Sequence, residues 1–142
     1  MEQIPLKLDS LLCFPIYACS REIVKAYTPY LQELDLTYTQ YITMMVLWDN
    51  GTISFKELGN LLYLDSGTLT PVIKNLEKKG LVKKARSKID ERNVDVTILE
   101  KGVALKEKAK DIPSKMMCAY CLSQEDGAEL HRLINKILET IS

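Results

Sequence analysis

Apolar residues recur at spacings of three and four through the first part of the chain. Leu12, Ile16, Cys19, Ile23 and Tyr27 share one face of a helix expected over roughly residues 9–32. Pro15 complicates its start. If the helix begins at Asp9 or Ser10, the proline ring lacks an N–H and presses on the carbonyl of Leu11, kinking the backbone beside Cys13. If it begins near Pro15, Cys13 lies at its positive end. A second helix starts at Thr37, which can cap it, and carries Tyr41, Met44, Met45 and Trp48 on one face before Asn50-Gly51 stops it. A short helix at about 54–62 leads into a turn at Tyr63-Leu64. Asp65 or Ser66 then caps a further helix that ends at Gly80. The period next changes to two. Val94, Val96 and Ile98 lie on one face of a strand paired, through a turn at 88–91, with residues 82–87. From about residue 100 two more helices are expected, interrupted near Pro113 and again around Ser123. The last carries a wide stripe of Leu130, Leu133, Ile134, Ile137, Leu138 and Ile141. A terminal helix this apolar needs another surface to cover it, and with the first helix it makes a natural dimer interface.

The order of elements over 53–99 is that of a DNA-reading device. Two helices joined by a tight turn precede two strands with a basic, turn-forming tip, which is what a winged helix-turn-helix uses to grip a duplex. The fold class is therefore mainly α with a small β-hairpin wing. A chain of 142 residues is most simply one domain. Residues 37–99 would form the DNA-binding region, and residues 1–36 and 100–142 the dimerisation helices. The first turn of the recognition helix holds Ser66, Gly67, Thr68 and Thr70. Short hydroxyl side chains there allow close approach to the major groove, and Gly67 has no Cβ to obstruct it. Lys74, further along, is better placed for phosphate. At the hairpin tip, an ion pair between Asp90 and Arg92 would aim the arginine toward a narrow minor groove.

Charge sharpens this picture locally. Lysine and arginine balance aspartate and glutamate, 19 against 19, so the molecule as a whole has no field that draws nucleic acid. Residues 74–92, which include Arg86, hold eight basic side chains against three acidic ones. Counterion release depends on that footprint. Most such runs are merely solvated faces, but this one falls on the motif. The longest uncharged stretch, 36–48, is too short to cross a bilayer, and no signal peptide is evident. A soluble cytoplasmic protein is expected, whose four cysteines are thiols or redox-active groups and not a structural disulfide framework.

Leu62-Tyr-Leu-Asp-Ser-Gly-Thr-Leu-Thr-Pro71, Leu76-Glu-Lys-Lys-Gly-Leu-Val82 and Asp90-Glu-Arg-Asn93 resemble the motifs of the MarR family of winged-helix regulators over nearly the whole chain. The resemblance implies an obligate homodimer that binds a pseudo-palindromic operator and represses. Leu99 departs from the pattern, because the family commonly has a threonine there to cap the next helix. Losing such a cap costs about 1 kcal/mol, and the helix is expected to start differently.

Leu11-Leu-Cys-Phe-Pro-Ile-Tyr17, Lys25-Ala-Tyr-Thr-Pro29 and Leu36-Thr-Tyr-Thr-Gln-Tyr41 are similar to the organic hydroperoxide-sensing branch of that family. The resemblance implies that Cys13 is the peroxidatic thiol and that Tyr27 and Tyr38 reach across the dimer to its sulfur. A thiolate attacks peroxide oxygen, and phenol donors can stabilise it. Phe14, Tyr17 and Tyr41 would favour organic peroxides. A buried inert thiol is the commoner fate of one cysteine on an apolar face; the two tyrosines reverse that preference. Pro15 departs from the branch and bears on how Cys13 is oriented. Met117-Cys-Ala-Tyr-Cys-Leu-Ser123 is similar to the two-cysteine sensors, with Cys118 the better match for a resolving residue and Cys121 its competitor. Cys19 is expected in the core, on the seam of the first helix. Zinc at Cys118 and Cys121 would need two further ligands, and His131 stands alone, so neither a metal nor a cofactor is expected. Other readings remain: release by a small aromatic ligand, a wider virulence or stress regulator with a one-cysteine switch, and a thiol peroxidase on a vestigial fold.

Overall fold

A computed structural model describes all residues, 1–142. They group into two compact units, Met1–Lys110 and Asp111–Ser142. In the first unit a short 3-10 turn, Leu8–Ser10, precedes α1 (Cys13–Gln32) and α2 (Tyr38–Asn50). Then follow β1 (Thr52–Ser54), α3 (Phe55–Leu62), α4 (Ser66–Lys78), β2 (Val82–Arg86), β3 (Val94–Ile98) and α5 (Glu100–Ala109). The second unit holds α6 (Ile112–Ala119) and α7 (Gln124–Ile141). The C-terminal part thus has three helices where two were expected, because Pro113 and Ser123 each begin a new one. None of the helices is long and apolar enough to cross a membrane.

Pro15 costs α1 no intrahelical hydrogen bond. With α1 starting at Cys13, the proline falls in the first turn, where its missing N–H would have had no carbonyl partner. The carbonyl of Leu11 lies outside the helix, on a residue in extended conformation (φ −88°, ψ 124°). Cys13 is therefore the first residue of α1, the second of the two starts the sequence allowed. Thr37 caps α2 in a reciprocal box: Gln40 N–H donates to Thr37 Oγ1 (3.2 Å) and Thr37 N–H to Gln40 Oε1 (3.1 Å). Gly51 then ends α2 at φ +73°, its N–H returning to Leu47 O.

The sheet has three strands in the order β1-β3-β2, both pairings antiparallel. β1 joins the hairpin through Thr52 opposite Thr97, Ile53 opposite Val96 and Ser54 opposite Asp95. Beneath it, Met44 and Leu47 of α2, Leu58 of α3, Leu69, Ile73 and Leu76 of α4, Val82 and Val96 make a core closed to solvent. α5 starts at Glu100 despite the lack of a side-chain cap at Leu99. The expectation of a displaced start is corrected. Leu99 N–H bonds Leu81 O (2.9 Å) and Val103 N–H bonds Leu99 O (2.9 Å), so backbone contacts fix the first turn.

Candidate nucleic-acid interface and thiol site

The recognition helix is α4, and its start is built around one carboxylate. Asp65 has extended backbone (φ −74°, ψ 167°) and accepts from Thr68 N–H at 2.7 Å. That amide, and then the Thr68 hydroxyl, hold the Asp65 carboxyl below the usual carboxylate range. Asp65, rather than Ser66, is thus the cap, and Ser66 becomes the first helical residue. Ser66, Gly67, Thr68 and Lys74 are exposed. Thr70 is half-buried and donates its hydroxyl to Ser66 O at 2.6 Å, which leaves only its lone pairs for an outside partner.

In the wing, Asp90 and Arg92 form the ion pair expected of them, in a two-pronged geometry. Arg92 Nε donates to Asp90 Oδ1 (3.1 Å) and a terminal nitrogen to Oδ2 (3.0 Å), while Arg92 N–H also bonds Oδ1. The guanidinium side chain remains 90% exposed. The pair pushes the Asp90 carboxyl down and the Arg92 guanidinium up from their ordinary values. Arg86 reaches to Glu91 O (3.3 Å), from the strand onto the tip.

Ser87, buried at the base of the turn, organises this tip. Its Oγ accepts from Ile89 N–H (3.2 Å) and Asp90 N–H (3.4 Å), and its own N–H donates to Asn93 O (2.9 Å). Sequence reasoning passed over it. The available signal was a hydroxyl residue placed to fold back on the next two amides.

The basic run divides once side chains are placed. Lys79 is turned inward, to Asp35 O and Gln40 Oε1 (3.0 Å), tying the end of α4 to the start of α2. The Lys84 ammonium lies 4.5 Å from the Phe55 ring centre. Lys74, Lys78, Lys83, Arg86, Lys88 and Arg92 remain exposed along α4 and the wing. They make a smaller footprint, still strongly basic.

At the other end of the first unit, Cys13 is an exposed free thiol in the first turn of α1. Tyr27 and Tyr38 meet edge to face with ring centres 5.2 Å apart, and Tyr41 stacks tilted on Tyr27 at 5.6 Å. Tyr41 then contacts Trp48 (6.4 Å), whose Nε1 donates to Gly102 O at 2.8 Å. The expectation that Cys19 lies in the core is corrected: it is exposed. Of α1, only Leu31 is buried: along the seam read from its spacing, Leu12, Ile16 and Cys19 are exposed, while Ile23 and Tyr27 are half-buried. Cys118 and Cys121 are also exposed free thiols, in the second unit.

Helices with this order, a capped recognition helix and a three-stranded wing are the frame on which known regulators can be compared. Residues 25–112 match the family described as transcriptional regulator SarA/Rot. The chain belongs to this SarA/Rot family. It is 45% identical over 136 residues to an organic hydroperoxide resistance transcriptional regulator of Bacillus subtilis (strain 168), covering 96% of this chain and 92% of the relative. It is 42% identical to the HTH-type transcriptional regulator SarZ of Staphylococcus haemolyticus (strain JCSC1435), over 95% and 90% of the two chains.

Among solved structures it is similar to AbfR of Staphylococcus epidermidis in several states. Reduced AbfR bound to DNA superposes with a TM-score of 0.77 at 30% identity, covering 92% and 91% of the two chains. Overoxidized AbfR bound to DNA gives 0.76 at 31%, covering 92% of each. Disulfide-formed AbfR gives 0.68 at 31%, covering 89% of each. A mutant MarR from E. coli complexed with operator DNA gives 0.77 at 25% identity, over 89% and 93% of the chains. This SarA/Rot chain therefore has the MarR-type winged-helix fold that its motifs suggested. It is a DNA-binding transcriptional regulator of the hydroperoxide-resistance branch, and not an enzyme.

Proposed function

We propose that this SarA/Rot chain is a homodimeric, thiol-switched repressor acting in the cytoplasm. When reduced, it holds a pseudo-palindromic operator whose half-sites lie about one helical turn apart, roughly 34–36 Å. The first turn of α4, with Ser66, Gly67, Thr68 and Thr70, enters the major groove. Lys74 meets phosphate, and Arg92, held by Asp90 and flanked by Arg86, reaches the minor groove.

The signal is an organic hydroperoxide. The Cys13 thiolate attacks the peroxide oxygen, the O–O bond breaks and the alcohol leaves after taking a proton, so that Cys13 becomes a sulfenic acid. Tyr27 and Tyr38 supply phenol donors to the thiolate of the partner subunit. A Cys118 thiolate from that partner then attacks the Cys13 sulfenic sulfur; the S–O bond breaks, hydroxide leaves and takes a proton from solvent as water, and an intersubunit disulfide remains.

The observation that carries this reading is the exposed Cys13 at the start of α1, in a chain 45% identical to an organic hydroperoxide resistance regulator. The AbfR states bear on which product releases DNA. That relative has been solved on DNA both reduced and overoxidized, which points to the disulfide, and not oxidation of sulfur as such, as the releasing event. A coupling of a few kcal/mol is enough to empty an operator.

The test is a gel-shift titration with cumene hydroperoxide on a duplex selected by the reduced protein from a random-sequence pool. Wild type should release the duplex, Cys13→Ser should hold it throughout, and Cys118→Ser should hold it while still consuming one equivalent of peroxide. Release from the Cys13→Ser protein would remove Cys13 as the sensor.

A further inference from the structure

Two of the four thiols stand three residues apart in the second unit, and only Cys118 has a task in the reading above. Cys118 lies in the last turn of α6, and Tyr120 keeps helical backbone (φ −72°, ψ −16°) beyond its end. Residues at i and i+3 around one turn are neighbours, and a disulfide needs their Cβ atoms roughly 3.5–4.5 Å apart. Cys121 then turns into the left-handed region at φ +54°, where residues other than glycine are uncommon. That turn folds it back on its neighbour: its N–H donates to Cys118 O (3.4 Å), and its Sγ lies 4.0 Å from the same oxygen. Both thiols are exposed and free. The adjustment to that spacing falls on the exposed C-terminal end of an eight-residue helix.

We infer that Cys118 and Cys121 form a dithiol couple that closes an intrasubunit disulfide and so releases the peroxide-made lock. The releasing role rests on the function proposed above. In the exchange, the Cys121 thiolate attacks the Cys118 sulfur of the intersubunit disulfide. The Cys118–Cys121 bond forms, the bond to Cys13 breaks, and Cys13 leaves as a thiolate. The number of disulfides is unchanged, so no added oxidant or reductant is needed. A tether of two intervening residues keeps the attacking sulfur at a high effective concentration. Cys13 is then rearmed, while Cys118 stays blocked until a cellular thiol reduces the pair. The regulator would thus return to DNA without first meeting a reductant.

The experiment uses the full-length reduced protein with one equivalent of cumene hydroperoxide. Timed samples are blocked with N-ethylmaleimide and followed on non-reducing gels and by mass spectrometry. Trypsin leaves both cysteines on one peptide, residues 116–132. In wild type the crosslinked dimer should appear and then decay, as that peptide emerges unalkylated and lacking two hydrogens, and DNA binding should recover. In Cys121→Ser the crosslink should last roughly tenfold longer or more. Equal decay in the two proteins, or a peptide found only doubly alkylated, overturns the inference.

A Cys13→Ser protein treated with diamide separates this inference from the peroxide reading. Closure of the pair there, with no crosslink in peroxide-treated wild type, overturns the sensor role and its release step and leaves the couple standing. Failure to close under diamide removes the couple, and the gel-shift result judges the sensor independently.

Discussion

Asp65 ties the start of the reading helix to a titration. Its carboxyl is held below the usual value of 3.8 by the Thr68 amide and then the Thr68 hydroxyl, so the folded state binds its proton less readily than the unfolded chain does. A group shifted down in this way stabilises the fold fully above the unfolded value, and its contribution fades as pH falls through the lower, folded one. The melting temperature of wild type should therefore exceed that of Asp65→Ala by a constant margin near neutrality. The margin should shrink below pH 3.8; a margin that persists there would mean that the carboxylate bonds contribute nothing. Arg92 offers a test in DNA binding. Replacing it with alanine should lower the slope of log affinity against log salt by about 1, the signature of one lost phosphate-region contact. Asp90→Ala should weaken binding with little loss of slope, because the charge stays and only its aim is lost. A salt slope unchanged in Arg92→Ala would take the wing tip out of the interface. These local pairs were legible because their partners lie two or three residues apart. The inward turn of Lys79 was not, since Asp35 and Gln40 lie far from it in sequence and a long side chain leaves no spacing to read.

Among the elements, α5 comes close to the root of the wing at one glycine. Gly102 sits where a Cβ would come within 2.4 Å of Leu81 O, 2.9 Å of Ile98 Cγ1 and 3.2 Å of Met44 Cε. The nearest obstacle is backbone, which cannot rotate away. Gly102→Ala should thus force α5 off the root of the wing, at a cost toward the upper part of the 1–3 kcal/mol typical of overpacking, roughly 2–3 kcal/mol. Urea unfolding should show a lower midpoint at an unchanged slope, whereas a wild-type midpoint would mean that the contact is looser than it stands. Nothing in the sequence marked this glycine as a packing site, because Leu81 and Met44, which crowd it together with Ile98, lie far from it along the chain. β1 escaped for a different reason. Three residues cannot display an alternation, and Ser54 both ends the strand and caps α3, accepting Glu57 N–H at 3.1 Å. The longer elements were legible because each carried a period and a stop: Thr37 and Gly51 bound α2, and Gly80 (φ +74°) closes the turn after α4.

At the scale of the molecule, each unit leaves an apolar face uncovered. α1 exposes Leu12, Phe14, Ile16, Tyr17 and Val24, and α7 has no buried residue although Leu130, Leu133 and Ile141 stand in its stripe. Faces of this kind mark association surfaces, and on the function proposed above a second copy of the chain is the occupant. The candidate site has the same dependence: an intersubunit disulfide and tyrosines that serve the partner's sulfur have meaning only in a dimer. Resemblance alone implied those roles for Cys13, Tyr27 and Tyr38, because spacing within one chain does not say what meets across a dimer. Leu133→Glu tests the association directly, because it would place a carboxylate in a surface that the dimer must dry. Light scattering should show monomers, circular dichroism should show the helices retained, and operator affinity should fall by about 10²- to 10⁴-fold as the two half-sites are no longer bound together. Glu139→Lys, across α7 from the stripe, alters the charge of the same helix and should leave the dimer intact. If Leu133→Glu stays dimeric, the α7 stripe is not the interface.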